Sequence, residues 1–359
     1  MKRKEKHIVV VSILRVTVAA VVLCAATDAG AQKRENPLGQ QIQFLKIESN
    51  ALKGNLVGDP STREMAVLLP PGYFSSTQAR FPVVYYLHGL GTRKDGHLGS
   101  VDMLVKLFAL MKERRLPEMI LVAVDGTTVF GGSYYADSPT IGNFEVYVAK
   151  EVVALVDGKF RTRPDRGGRA IGGFSMGGHG AVKIGMKYST VFAQIGSLSG
   201  SPLSMRYRKS IYKTALANHP RPASLKELTS LVTFDNNWSR AAAFAKAAAF
   251  SPNTGKPPLF MDLPFESATE GTDSVWQKWL DDDPLSLVSR YQSSLRTLDQ
   301  IYIDHGDDET SLGTEDFIRE LVRYGIGLTY YVFRGDHVDE LFLRHVRMLR
   351  FLSTRWAER

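Results

Sequence analysis

The sequence predicts an α/β fold, a mostly parallel central sheet covered by helices on both faces. Three observations predict it. Short runs rich in Val, Ile and aromatic residues, such as 81–87 and 119–124, recur between longer runs of helical period. Those short runs are apolar at successive positions, so both sides of each strand are buried, as in a sheet with helices above and below. Residues able to carry chemistry stand directly after several of these runs, at the carboxyl ends of strands, where open α/β sheets form their ligand crevice.

Residues 42–47 and 64–69 read as an antiparallel pair of opening strands. The turn between them holds Gly54, Gly58 and Pro60. Strand 81–87 ends in His88-Gly89-Leu90-Gly91. Residues 103–113 then offer Leu104, Leu107, Phe108 and Met111 to one helical face. Strand 119–124 is followed by a long loop, 126–142, of the kind that rims a site. Asn143 is placed to cap a helix whose apolar positions are Phe144, Val148, Val152 and Leu155. Strand 170–174 is the central one, and 191–195 is the next. Residues 201–297 lack a clean sheet rhythm and read as an insertion forming a partial lid over a single domain, 32–359. Within them, 241–250 reads as a helix, 259–263 as a strand, and Asp283-Pro284 as the start of a helix toward Leu295. Strand 298–303, helix 314–323, strand 328–333 and a closing helix, 338–356, complete the chain.

Residues 1–31 read as a cleaved export leader. Lys2, Arg3, Lys4 and Lys6 form a basic head, 8–26 is mostly apolar, and Ala29-Gly30-Ala31 supplies small residues for cleavage. Arg15 interrupts the apolar run and argues against stable membrane insertion. The chain is therefore expected in the periplasm or outside the cell. Its single cysteine, Cys24, lies in the leader, which leaves no disulfide, thiol nucleophile or thiolate metal site after cleavage. The formal charge of +8 on 359 residues is spread along the chain, with no basic block interleaved with aromatics, so no nucleic-acid partner is expected. No metal is expected. Asp281, Asp282 and Asp283 lack the ligand alternation of a calcium loop and suit a helix start. No other cofactor is expected, since no G-x-G-x-x-G opens a first βαβ unit.

The stretch organising the chemistry is Gly173-Phe174-Ser175-Met176-Gly177, the G-x-S-x-G of a nucleophile elbow between a strand and a glycine-rich helix start. A serine at so sharp a turn projects its hydroxyl above the sheet, and its neighbours must be small where strand and helix pass close together. That hydroxyl needs a base, and His337, after the last strand, is the choice. An acid must then hold the imidazole. The cluster Asp307-Asp308-Glu309 supplies it, with Asp308 and Glu309 both candidates. The N–H groups of Leu90 and Met176 are assigned to the oxyanion. His88, at the first of these strand ends, is expected to support that loop or face substrate. His179, Tyr134, Tyr135, Trp276 and Trp279 are candidate substrate-facing groups.

Together these motifs resemble the esterase family of α/β-hydrolases, which includes feruloyl esterases, tributyrin-type carboxylesterases, S-formylglutathione hydrolases and mycobacterial mycolyltransferases. The resemblance rests on Tyr86-Leu87-His88-Gly89, Gly131-Gly132-Ser133-Tyr134-Tyr135 with Asn143, residues 172–181, and Gly335-Asp336-His337. It implies an α/β-hydrolase fold with Ser175 as nucleophile, His337 as base, and Leu90 and Met176 as oxyanion donors. Its acid lands on Glu309, with Asp308 the alternative because many relatives carry aspartate there. The expected activity is hydrolysis of short-chain or aryl esters of the feruloyl or acetyl type, free or decorating a polysaccharide, through an acyl-enzyme. The rival readings are an acyltransferase with the same residues and a catalytically silent binding protein.

Overall fold

The computed structural model describes residues 37–91, 100–217, 221–231, 238–265, 273–310 and 312–357. The expected leader, 1–31, lies outside them. Everything described belongs to the unit Asn36–Arg359.

Strands β1 (Ile42–Glu48) and β2 (Thr62–Leu68) open the unit as an antiparallel pair, with Ile42 opposite Leu68. β3 (Val83–Leu87), α1 (Val101–Lys112) and β4 (Ile120–Val124) follow. The two-residue strands β5 (Asp137–Ser138) and β6 (Gly142–Asn143) pair inside the long loop. A continuous helical run comprises α2 (Phe144–Val146), a π-helical stretch Tyr147–Val152, and α3 (Val153–Lys159). The Asn143 side chain makes no capping hydrogen bond there. Asp137 instead accepts from the Glu145 N–H, 2.8 Å away.

The centre is β7 (Arg169–Phe174), α4 (Met176–Lys187) and β8 (Gln194–Leu198). The segment 201–297 contains α5 (Lys209–Ala217), α6 (Leu225–Leu231), α7 (Trp238–Phe250), α8 (Ser274–Asp281) and α9 (Pro284–Arg296). The expected strand at 259–263 is only a single bridge, Pro252 to Met261. β9 (Gln300–Gly306), α10 (Thr314–Arg323), β10 (Thr329–Phe333) and α11 (Leu341–Ala357) finish the chain.

Eight strands form one sheet in the order β1-β2-β4-β3-β7-β8-β9-β10. From β4 to β10 every neighbour is parallel, and β2 meets β4 antiparallel. This is the α/β-hydrolase arrangement that the residue pattern predicts. Alternation along the strands builds two cores. Val83, Tyr85 and Leu87 join the core that includes α4 and α7, while Val84 and Tyr86 face α1 and α11. The chain leaves β3 toward β4 on one side, then returns to β7 on the other. The loops after β3 and β7 therefore open side by side at the switch point of the sheet. At the far edge, Thr329, Tyr330, Tyr331 and Val332 of β10 are exposed.

Candidate active site

Ser175 is held at φ 56°, ψ −118°, between the end of β7 and the first turn of α4. A non-glycine residue in this region costs about 1–3 kcal/mol and persists only where the surroundings enforce it. Here they do. The Ser175 N–H donates to the Leu198 carbonyl, and the Ser175 carbonyl accepts from His179 and Ser201. The side chain is 5% exposed. It meets His337, whose Nε2 lies 2.8 Å from the serine Oγ. On the other side of the ring, Nδ1 stands 2.5 Å from Glu309 Oε1. An ionised carboxylate only accepts, so Nδ1 carries the proton and Nε2 is left to accept from the serine hydroxyl.

Glu309 is fastened three ways. Besides His337, its Oε2 accepts from the Gly306 N–H at 2.7 Å and from Ser199 Oγ at 2.6 Å. Burial works to raise its pKa. The hydrogen bond and charge of His337, with the Gly306 and Ser199 donors, outweigh that and hold the carboxyl below its ordinary value. Asp308, the other acid candidate, is not joined to His337; its N–H donates to the Gly335 carbonyl. Asp307 accepts from the Gly335 N–H, so it clasps the histidine loop rather than the histidine.

The Leu90 loop runs beside the serine: a Cβ on Gly89 would lie 3.4 Å from Ser175 Cβ. A Cβ on Gly132 would fall 2.4 Å from Met176 Sδ and 2.8 Å from Leu90 Cδ1, so the two residues flank the same glycine. Among the described residues, neither the Leu90 nor the Met176 N–H meets a hydrogen-bond acceptor. His88 sets this loop and does not face outward. It is buried, its Nε2 accepts from the Gly126 N–H at 2.9 Å, and Nδ1 donates to the Gly89 carbonyl at 2.8 Å. Burial lowers its pKa, which keeps the ring neutral in that tautomer.

The remaining candidates for substrate contact are interior. Tyr135 is fully buried, with its hydroxyl 3.3 Å from the His88 carbonyl. Trp279 donates from its indole nitrogen to Ser251 Oγ at 2.9 Å, and Trp276 packs against Trp279, Tyr212 and Phe265. His179 lies between the Tyr134 and Phe250 rings, donates from Nδ1 to the Pro202 carbonyl, and has no partner for Nε2. Burial, with Lys183 nearby, lowers its pKa to about 3. Tyr134 is buried too, and its hydroxyl receives Lys246 Nζ from α7. All five are buried. Tyr134 packs on Phe250 of α7, Trp276 and Trp279 belong to α8, and Tyr135 lies against Gly126 and Gly180. A cavity of about 280 Å³ does open beside Glu309, among Tyr207, His305, Asp307 and Arg319, but it touches neither Ser175 nor His337.

Three residues at the site carry no sequence signal of their own type. Ser199, Asp304 and Arg344 connect behind Glu309. Ser199 directly follows β8 and Asp304 lies near the carboxyl end of β9, where reactive groups gather, so position alone could have marked them. Arg344 lies inside a helix and could not be found that way.

With this geometry in view, comparison with known proteins is decisive on ancestry. The family model described as "Putative esterase" matches residues 60–324. The chain belongs to that family. Esterase Rv1288 of Mycobacterium tuberculosis is 34% identical over 148 residues, covering 39% of this chain and 29% of the relative. An endo-1,4-beta-xylanase/feruloyl esterase of Xylanibacter ruminicola is 30% identical over 142 residues, 37% of this chain and 19% of the relative. The chain thus spans less than a third of the length of these relatives. Among solved structures, a ferulic acid esterase superposes with a TM-score of 0.58 at 20% identity, covering 88% of this chain and 97% of the other. An S-formylglutathione hydrolase from Agrobacterium tumefaciens gives 0.54 at 20% identity, covering 89% and 95%. These two likenesses establish the shared fold. Among the described residues, no helix is long and apolar enough to cross a membrane.

Proposed function

We propose that this chain is a serine carboxylesterase acting on short-chain or aryl esters through an acyl-enzyme. The observation that supports it most is the continuous hydrogen-bond chain from Ser175 Oγ through His337 to Glu309. In this reading Ser175 Oγ attacks the ester carbonyl and gives its proton to His337 Nε2. The carbonyl oxygen becomes negative and is met by the Leu90 and Met176 N–H groups, two donors with no other use. Losing one such donor typically costs about 3 kcal/mol of transition-state stabilisation. The tetrahedral centre collapses, the C–O bond to the alcohol breaks, and His337 returns the proton to the leaving oxygen. Water then repeats the sequence on the acyl-serine, releasing the acid and restoring Ser175. Glu309 stays ionised throughout and keeps the Nδ1 proton in place.

A ladder of p-nitrophenyl esters from acetate to octanoate, with methyl ferulate alongside, tests the class and the size of the acyl group. Feruloyl esters belong in the panel because a curated relative carries that activity in its name. Turnover that disappears in Ser175→Ala is expected, and turnover retained by that variant refutes the assignment. The export reading is proposed with it. N-terminal sequencing of protein recovered outside the cytoplasm should begin at Gln32.

A further inference from the structure

One guanidinium ties the base and the acid of the site together. Arg344, in the first turn of α11, is fully buried, and its five N–H groups meet five acceptors. Nε and one Nη2 hydrogen hold the Asp304 carboxylate, at 3.1 and 2.8 Å. Nη1 grips the His337 and Asp339 carbonyls at 3.1 and 3.2 Å, clamping the loop that carries the imidazole. The last Nη2 hydrogen points at Ser199 Oγ, 2.5 Å away. Because arginine only donates, Ser199 must accept there, and its own hydrogen is left for Glu309 Oε2 at 2.6 Å. The serine is itself locked in place. It sits at φ 42°, with its N–H on the Asp304 backbone and side-chain oxygens, both at 3.0 Å.

We infer that Ser199 and Arg344 are positioning residues for the reaction proposed above, Ser199 acting as a directed relay that shares the charge of Glu309 with a buried arginine. The design has a chemical reason. A guanidinium placed directly on Glu309 would compete with His337 for the carboxylate. Asp304 takes the full charge of Arg344, and the serine passes on only a neutral hydrogen bond, so Oε1 stays free for Nδ1. Lysine cannot substitute, since an ammonium has three donors and no planar fork. This inference rests on the esterase reading, and its test separates the two.

The central variant is Ser199→Ala, which leaves the Arg344–Asp304 pair intact. Ser197→Ala is the matched control: it lies two residues earlier, within β8, is equally buried, and its hydroxyl has no hydrogen-bond partner among the described residues. With p-nitrophenyl acetate, Ser199→Ala should lower kcat about ten- to a hundredfold, the range of a hydrogen bond to a charged group, with KM nearly unchanged. The acid limb of its kcat/KM profile should move to higher pH, because an unshared Glu309 charge favours the imidazolium. Ser197→Ala should match the parent in both readouts. Parent-like kcat and an unmoved acid limb in Ser199→Ala overturn the relay. If the parent protein itself turns over no ester, the esterase reading falls instead. NMR titration of the His337 imidazole then still decides the relay: an upward shift in Ser199→Ala supports it and an unchanged curve refutes it.

Discussion

Gly177 and Leu87 meet backbone against backbone. A Cβ added at Gly177 would stand 1.9 Å from the Leu87 carbonyl oxygen and 2.8 Å from that of His88. Neither obstacle is a side chain that can swing aside, so the first turn of α4 would have to lift off β3 and carry Met176 with it. Gly177→Ala is expected to cost more than about 3 kcal/mol and to reduce soluble yield sharply. Gly185 is the internal contrast. Its added Cβ would meet side-chain atoms and no backbone, Ile195 Cδ1 and Cγ1 both at 2.4 Å, and alanine gains helix propensity. Thermal unfolding should place the loss in Gly185→Ala at about 1–2 kcal/mol, clearly below that of Gly177→Ala. Equal losses in the two variants would contradict the close approach at Gly177.

The two acids should separate cleanly. Glu309→Gln offers His337 an amide that can present the wrong partner, and turnover should fall by about four decades. Asp308→Asn should stay within about threefold, since that carboxylate is not joined to the imidazole. Steady-state rates on one activated ester decide it. Stability follows the same residue. The folded pKa of Glu309 lies below its unfolded value, so its contribution is complete above the ordinary carboxylate range. It is lost as pH falls through the lower folded value. Relative to the parent, the Glu309→Gln unfolding free energy should therefore be flatter in that acidic window, measured by urea titration at a series of pH values.

Lys246 tests the interior beneath the site. It is almost completely buried on α7, with Tyr134 as its hydrogen-bond partner, and burial, then Arg208, pushes its pKa far down. The unfolded chain binds a proton that the folded chain does not, so stability drops as pH falls below the ordinary lysine value. The double variant Lys246→Met/Tyr134→Phe removes the amine and its partner together. It should raise Tm at neutral pH by at least about 3 °C and flatten the rise of stability between neutral and alkaline pH. A lower Tm would mean that the pair is a net support.

Much of this was readable in the residues. Helix α10 spans the run expected for it, because amphipathic spacing survives any packing that keeps one face inward. Strand β8 begins three residues later than its apolar run suggests, since Val191 to Ala193 are consumed by the turn out of α4. Ser175, His337 and Glu309 stand out because each ends a strand. The burial of the aromatic candidates was not legible, for a physical reason. Tyrosine and tryptophan suit a cleft and a core equally well, and only the burial of α7 and α8 against them decides. Arg344 was invisible because its meaning lies in four partner residues, the farthest of them 145 positions away in the chain.

Those same helices carry one practical consequence. Lys183 on α4 is paired with Asp282 at the end of α8, and α7 is buried on all sides from Arg240 to Phe250. Anyone trimming 201–297 in search of a minimal catalyst would strip the backing from the helix that presents Ser175 and take Asp282 from Lys183, leaving it Glu145 at 3.9 Å. The shortened protein should precipitate rather than work faster.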